Sequence, residues 1–150
     1  MSKLKEKLAA KSTAQYVAYA AALIGLIADI AFIIVDGSDQ TFTMGCFICV
    51  LLGSVLALSD LFKSFFDGIG LWISVFLYSA GFAFHLYEAI PSISDLWNNV
   101  NFIGGNQQAA IVFGAIFLAV TIVLIAANFF GEKRAPRIAL ADAEDAEKEK

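Results

Sequence analysis

The chain has little charge for its length: 16% of its 150 residues are Asp, Glu, Lys or Arg, whereas a typical soluble domain has about 25%. Sixteen of these charged residues lie in 1–11 and 132–150, which leaves eight in the 120 residues between. So few charges cannot form the charged shell of a water-soluble domain, and that class is excluded. A net charge of −4 without a basic face argues against nucleic-acid binding. Two cysteines are too few for a disulfide scaffold.

What the chain does have is four long apolar blocks, each 21 or 22 residues long. As helices they would measure about 31–33 Å, which matches the hydrocarbon core of a bilayer. The sequence therefore predicts an all-α integral membrane four-helix bundle within residues 14–131. Residues 1–13 would form a basic cytoplasmic N-terminus and residues 132–150 a frayed or disordered charged tail. The predicted transmembrane spans are 14–35, 42–62, 69–90 and 109–130.

The positions of the basic residues predict the orientation. All ten Lys and Arg residues precede the first span, lie between the second and third spans, or follow the fourth span. Because cytoplasmic segments are enriched in Lys and Arg, both termini are predicted to be cytoplasmic, in a multi-pass protein of the cell membrane. Residues 1–11 can form a short basic amphipathic helix, which either sets the orientation or binds anionic lipid.

The second outer connector, 91–108, contains its own helical pattern. Pro91 is expected to end the third span. Ser92 and Asp95 resemble a capping signal, and Ile93 and Trp97 belong to an apolar repeat that continues to Val100. We expect a separate short helix on the outer membrane surface, which either anchors the protein or covers an outward cavity.

Small and polar residues recur every three or four positions in each span, and they predict the faces that meet inside the bundle. Asp29 and His85 lie at similar depths, about 9 Å and about 7–8 Å from the outer ends of their spans at 1.5 Å per residue. With Glu88 they form a predicted polar intramembrane cluster. The cluster either lines a proton- or cation-linked cavity, or contains a structural Asp29–His85 hydrogen bond that fixes the helix register. Asp60 and Asn128 are predicted inner-side polar residues.

The second span begins with Cys46-Phe47-Ile48-Cys49. A Cys-x-x-Cys at this place in a four-span protein resembles the quinone-dependent disulfide-generating enzymes of bacterial membranes. The resemblance implies a redox pair that passes electrons from a periplasmic dithiol to a quinone. Those enzymes also carry a second cysteine pair in the second outer loop and an Arg soon after the first pair. Residues 91–108 contain no cysteine here, and Val50-Leu51-Leu52-Gly53-Ser54 follows Cys49.

Known catalytic and phosphate-binding motifs are missing from the sequence, which has a single histidine. We therefore expect a non-enzymatic accessory or interaction subunit of a membrane complex, with no cofactor and no metal site. Its partners would be the lipid bilayer and a membrane protein or a second copy of the chain. The alternatives are an oligomeric proton-linked transporter or channel that uses Asp29 and His85, and a thiol-disulfide oxidoreductase that uses Cys46 and Cys49.

Overall fold

The computed structural model of the chain describes residues 12–38, 41–62, 69–102 and 104–131. These residues form helices and their connections, and no strand occurs among them, so the predicted all-helical class is confirmed for this part of the chain. The predictions for residues 1–11, for the tail 132–150 and for Lys63 lie outside the described residues. The helices are α1 (Thr13–Asp36), α2 (Met44–Phe62), α3 (Ile69–Trp97) and α4 (Gln107–Gly131).

Three of the helices, α1, α3 and α4, are long and apolar enough to cross a membrane. The fourth, α2, contributes a shorter apolar stretch at Met44–Asp60. The predicted spans therefore coincide with the helices of the structure, and the boundaries differ mainly at the end of α3.

Polar side chains define the helix ends. Ser12 caps α1 through a reciprocal pair of bonds: the Gln15 backbone N–H donates to the Ser12 hydroxyl oxygen at 3.3 Å, and the Ser12 N–H donates to the Gln15 side-chain oxygen at 2.9 Å. Asn106 caps α4 by accepting the Ala109 N–H at 3.1 Å. After α3, Asn99 adopts a left-handed φ of 58°, which is a common way for a helix to end.

The predicted separate helix after Pro91 is wrong, because α3 continues without a break through Pro91 to Trp97. Proline has no N–H to donate to the carbonyl of Tyr87. Pro91 and Tyr87 both lie on the exposed face of α3, however, so the proline ring does not disturb the interior. The buried face runs on past His85 through Ala89, Ser92 and Asp95.

The helices form an antiparallel ring: α1 packs against α2, α2 against α3, α3 against α4, and α4 against α1. Contacts at two levels define this order. Tyr19 of α1 meets Asp60 of α2, whereas Phe32, further along α1, meets His85 of α3 and Phe113 of α4. We call the end where α1 begins and α4 finishes the proximal end, and the opposite end the distal end.

Large apolar side chains cover the outside of the bundle while small and polar residues face inward. Ile34, Phe76 and Phe130 are 70–77% exposed, whereas Ala18, Ala22 and Ala57 are fully buried. A soluble bundle has the opposite distribution, with polar side chains outside. Close helix packing around small residues is typical of membrane helices.

Candidate functional site

The Tyr78 side chain lies at the centre of the bundle, in a space that two glycines leave open. A Cβ atom at Gly25 would overlap the Tyr78 hydroxyl, and one at Gly53 would come within 2.9 Å of the Tyr78 ring. The Tyr78 hydroxyl lies 2.6 Å from the Ser54 hydroxyl and 3.3 Å from the carbonyl oxygen of Ala22, to which it can donate. Tyr78 of α3 thus connects α1 and α2 through polar contacts at mid-depth.

A second polar contact closes the proximal end. The Tyr19 hydroxyl donates to the Asp60 carboxylate at 2.8 Å, and Asn128 donates to the backbone oxygens of Leu124 and Leu71 at 2.9 and 3.4 Å. Asp60 is only 3% exposed. The Tyr19 hydroxyl supplies a partner that lets the Asp60 carboxylate lie inside the bundle.

Asp29 lies between mid-depth and the distal end with its side chain fully buried. Neither of its carboxylate oxygens has a hydrogen-bond partner within the residues that the structure describes. It interacts electrostatically with the Cys46 thiol of α2 and the Tyr78 hydroxyl of α3. Asp29 is thus a buried carboxyl group with polar groups nearby that do not form hydrogen bonds to it.

His85 is also fully buried, but it faces α4 rather than Asp29. Its Nε2 atom lies 2.8 Å from the carbonyl oxygen of Ala110. Gly114 leaves room for the imidazole, since a Cβ there would lie 3.3 Å from Nε2. Because a carbonyl only accepts, the Nε2 atom carries a hydrogen and donates this bond.

An aromatic cluster occupies the space on the α1 side of His85. The Phe32 ring, one turn after Asp29, lies 5.3 Å from the imidazole and 5.2 Å from the rings of Phe42 and Phe113. No hydrogen bond joins Asp29 to His85 in the part of the chain that the structure covers. The two residues share the distal half of the bundle but contact different neighbours.

Glu88 does not belong to the buried cluster. Its side chain is exposed on α3, so its inclusion with Asp29 and His85 is wrong. The buried face of α3 passes from His85 to Ala89 by a step of four residues, and Glu88 falls beside that face.

Cys46 and Cys49 are both free thiols. Cys46 is fully buried and Cys49 is half-buried. Cys49 packs against Gly81 of α3, where an added Cβ would lie 3.3 Å from the Cys49 Cβ. Thiol–disulfide exchange needs a thiolate that can reach its partner, and the side chain of Cys46 has no exposed surface.

Sequence reasoning missed several buried polar residues near the distal end. Asp36 and Asp95 are at most 9% exposed, and Thr41 and Ser92 at most 1%. Asp95 accepts the Phe102 N–H at 2.8 Å and so fixes the connector against the end of α3. The three- and four-residue steps that place His85 inside lead on to Ser92 and Asp95, so an uninterrupted helix through Pro91 would have predicted both.

An apolar groove of about 630 Å³ opens on the outside of the bundle between α3 and α4. Its α4 side is lined by Ala110, Ile111, Gly114, Ala115 and Leu118. Its α3 side is lined by residues on both sides of Pro91, from Phe82 to Trp97. The continuation of α3 through Pro91 thus adds to the length of the groove.

Among the residues that the structure describes, no three His, Cys, Asp or Glu side chains come close enough together to hold a metal ion. The chain matches no known family model, and comparison with curated proteins and with solved structures likewise gave no match.

Proposed function

We propose that the chain is a four-span protein of the cell membrane, with the proximal end in the cytoplasm, and that it serves as a non-enzymatic subunit that binds another membrane protein. The apolar outer faces of the helices support the membrane placement. The grouping of the Lys and Arg residues before α1, between α2 and α3, and after α4 supports the orientation.

The groove between α3 and α4 carries the proposed interaction role. In a bilayer a protein segment must satisfy its own backbone hydrogen bonds, so the partner segment that fits there is an apolar transmembrane helix. Ala115 is an exposed small residue that lines the groove, and small residues let two helix backbones approach closely. The proposed occupant is therefore one transmembrane helix of a partner protein.

The packed interior also supports a binding role. Tyr78, Phe32, Phe117 and Leu124 are the largest of the fully buried side chains, and they occupy the space along the bundle axis. A subunit of this kind contributes its surface to a complex, while its own small-residue faces stabilise the bundle.

The test is a purification of the whole chain in mild detergent, followed by mass spectrometry, with the groove filled in one variant. Ala115→Phe places a ring in the groove. Ala119→Phe makes the same change on an exposed position of α4 that does not line the groove, and is the matched control. A membrane protein that co-purifies with the wild type and the control, but not with Ala115→Phe, supports the proposal. A wild type that purifies alone, or a partner that both variants retain, contradicts it.

Proton-linked transport by an oligomer is the second candidate. Its specific support is the succession of buried polar groups along the bundle, with Tyr19 and Asp60 at the proximal end, Tyr78 at mid-depth and Asp29 beyond it. Vesicles reconstituted with the purified chain and loaded with a pH-sensitive dye test this function. It predicts proton uptake under an imposed pH gradient that Asp29→Asn abolishes, and equal rates in protein-free vesicles would contradict it.

A further inference from the structure

We propose that the Asp29 carboxyl group is a proton-binding site that holds a proton in the closed bundle. This inference goes beyond the interaction role and does not depend on it. It also requires no transport.

The burial of Asp29 supports a bound proton. The side chain is fully buried, and neither carboxylate oxygen has a hydrogen-bond partner within the described residues. An isolated ionised carboxylate is strongly disfavoured in such surroundings. An ionised carboxylate is likewise disfavoured inside a bilayer. Neutralisation by a bound proton removes this cost.

Among the described residues, no positively charged side chain pairs with the Asp29 carboxyl group in place of a proton. No Lys or Arg occurs among the residues that the structure describes, which are 12–38, 41–62, 69–102 and 104–131. The one histidine, His85, uses Nε2 for the carbonyl of Ala110 and faces the Phe32 ring. No basic side chain in this part of the chain therefore faces the Asp29 carboxyl group.

The titratable groups around Asp29 are few. The Cys46 thiol of α2 and the Tyr78 hydroxyl of α3 are close enough to interact electrostatically with it. The sequence of α4 contains no ionisable residue, and on α1 the next carboxyl group is Asp36, about 10 Å further along the helix at 1.5 Å per residue. The thiol and the phenol are ordinarily neutral below about pH 8. These described neighbours carry no positive charge that could neutralise the Asp29 carboxylate, so we assign that role to a bound proton.

Asp60 provides the contrast within the same bundle. It lies at a comparable level of burial but accepts a hydrogen bond from the Tyr19 hydroxyl. This bond joins α1 to α2. Asp60 and Asn128 therefore form a structural layer, and the proton-binding property is assigned to Asp29.

Labelling with dicyclohexylcarbodiimide tests the proposal on the full chain in detergent or vesicles. This apolar reagent reacts with a protonated carboxyl group: the carboxyl O–H adds across one C=N bond, and the resulting O-acylisourea rearranges to a stable N-acylurea. No atom leaves, so the peptide gains the mass of one reagent molecule. Fragment spectra of the α1 peptide separate an adduct on Asp29 from one on Asp36.

The expected result is an adduct on Asp29 whose yield falls as the pH rises, by about tenfold per pH unit once the site ionises. Asp29→Asn should abolish the adduct, whereas Asp60→Asn, the matched control, should retain it. The wild-type pH series needs no variant, so it decides the matter even if a substitution prevents folding. An unlabelled wild-type Asp29, an adduct on Asp60 instead, or a yield independent of pH would overturn the proposal.

Discussion

The two halves of the bundle treat their buried polar groups differently. From the proximal end to mid-depth, Tyr19, Asp60 and Tyr78 take part in hydrogen bonds between helices. In the distal half, the Asp29 oxygens and Nδ1 of His85 are buried without a hydrogen-bond partner among the described residues. Buried polar groups that form hydrogen bonds hold helices in register. A buried polar group without a hydrogen-bond partner lowers the stability of the fold, which makes it a candidate for a functional role.

The contrast shows why burial alone does not identify a functional residue in this chain. Asp29 and Asp60 are the same residue type, both inside, and the Tyr19 hydroxyl makes the difference between them.

The largest effect is expected for Tyr78→Ala. The change leaves a cavity between Gly25 and Gly53 and removes the hydroxyl that contacts Ser54. Truncation of a large buried side chain typically costs about 3–5 kcal/mol in the free energy of unfolding. Tyr78→Phe keeps the ring and should cost only about 1 kcal/mol. Thermal unfolding in detergent measures both, and equal losses would contradict the packing role of the ring.

Gly25→Ala should destabilise the bundle by about 1–3 kcal/mol through overpacking. The added Cβ would overlap the Tyr78 hydroxyl, and the Tyr78 ring cannot retreat because Gly53 lies against it. Gly45→Ala is the matched control: its Cβ would meet the half-exposed Phe84 ring at 3.2 Å, and that ring can turn aside. Unfolding midpoints that fall equally for both variants would refute the close approach at Gly25.

Tyr19→Phe should cost about 1–3 kcal/mol, because Asp60 is left buried without its hydroxyl donor. Tyr16→Phe removes a hydroxyl from a neighbouring tyrosine that is 42% exposed, and a smaller loss is expected there. Chemical unfolding curves of the two variants decide, and a larger loss for Tyr16→Phe would show that Asp60 does not depend on Tyr19.

The smallest effect is expected for Glu88→Gln, at under about 0.5 kcal/mol, since the side chain is exposed. The sequence pattern groups Glu88 with Asp29 and His85, whereas the structure places its side chain on the outside of α3. The stability of this variant distinguishes the two. A loss of more than 1–2 kcal/mol in detergent would restore Glu88 to the distal cluster.

The apolar block lengths and the small-residue spacing were enough to predict the four helices and the inward position of Asp29, His85 and Asn128. Pairing was harder to predict, because it depends on the rotation of each helix about its axis. Tyr19 adjoins the small-residue face of α1, and only the packed bundle brings it to Asp60. The similar depths of Asp29 and His85 likewise suggested that these two side chains meet, but in the packed bundle the Phe32 ring contacts His85.

The end of α3 was predicted incorrectly for a local reason. Proline disfavours a helix interior by removing one backbone donor, and this preference suggested a break at residue 91. Here the buried face of α3 continues across the proline, and Asp95 and Asn99 complete the end of the helix. Tertiary packing along a whole helix outweighs a single unfavourable residue.

Unfolding as a function of pH tests most directly the claim that Asp29 holds a proton in the closed bundle. If it does, the folded state binds one proton more than the unfolded chain, where a carboxyl group is ionised above about pH 4. The free energy of unfolding of the wild type should then fall from mildly acidic to mildly alkaline pH, by at most about 1.4 kcal/mol per pH unit for one proton. Asp29→Asn should fold and show a flatter profile. Parallel profiles for the wild type and Asp29→Asn would contradict the account.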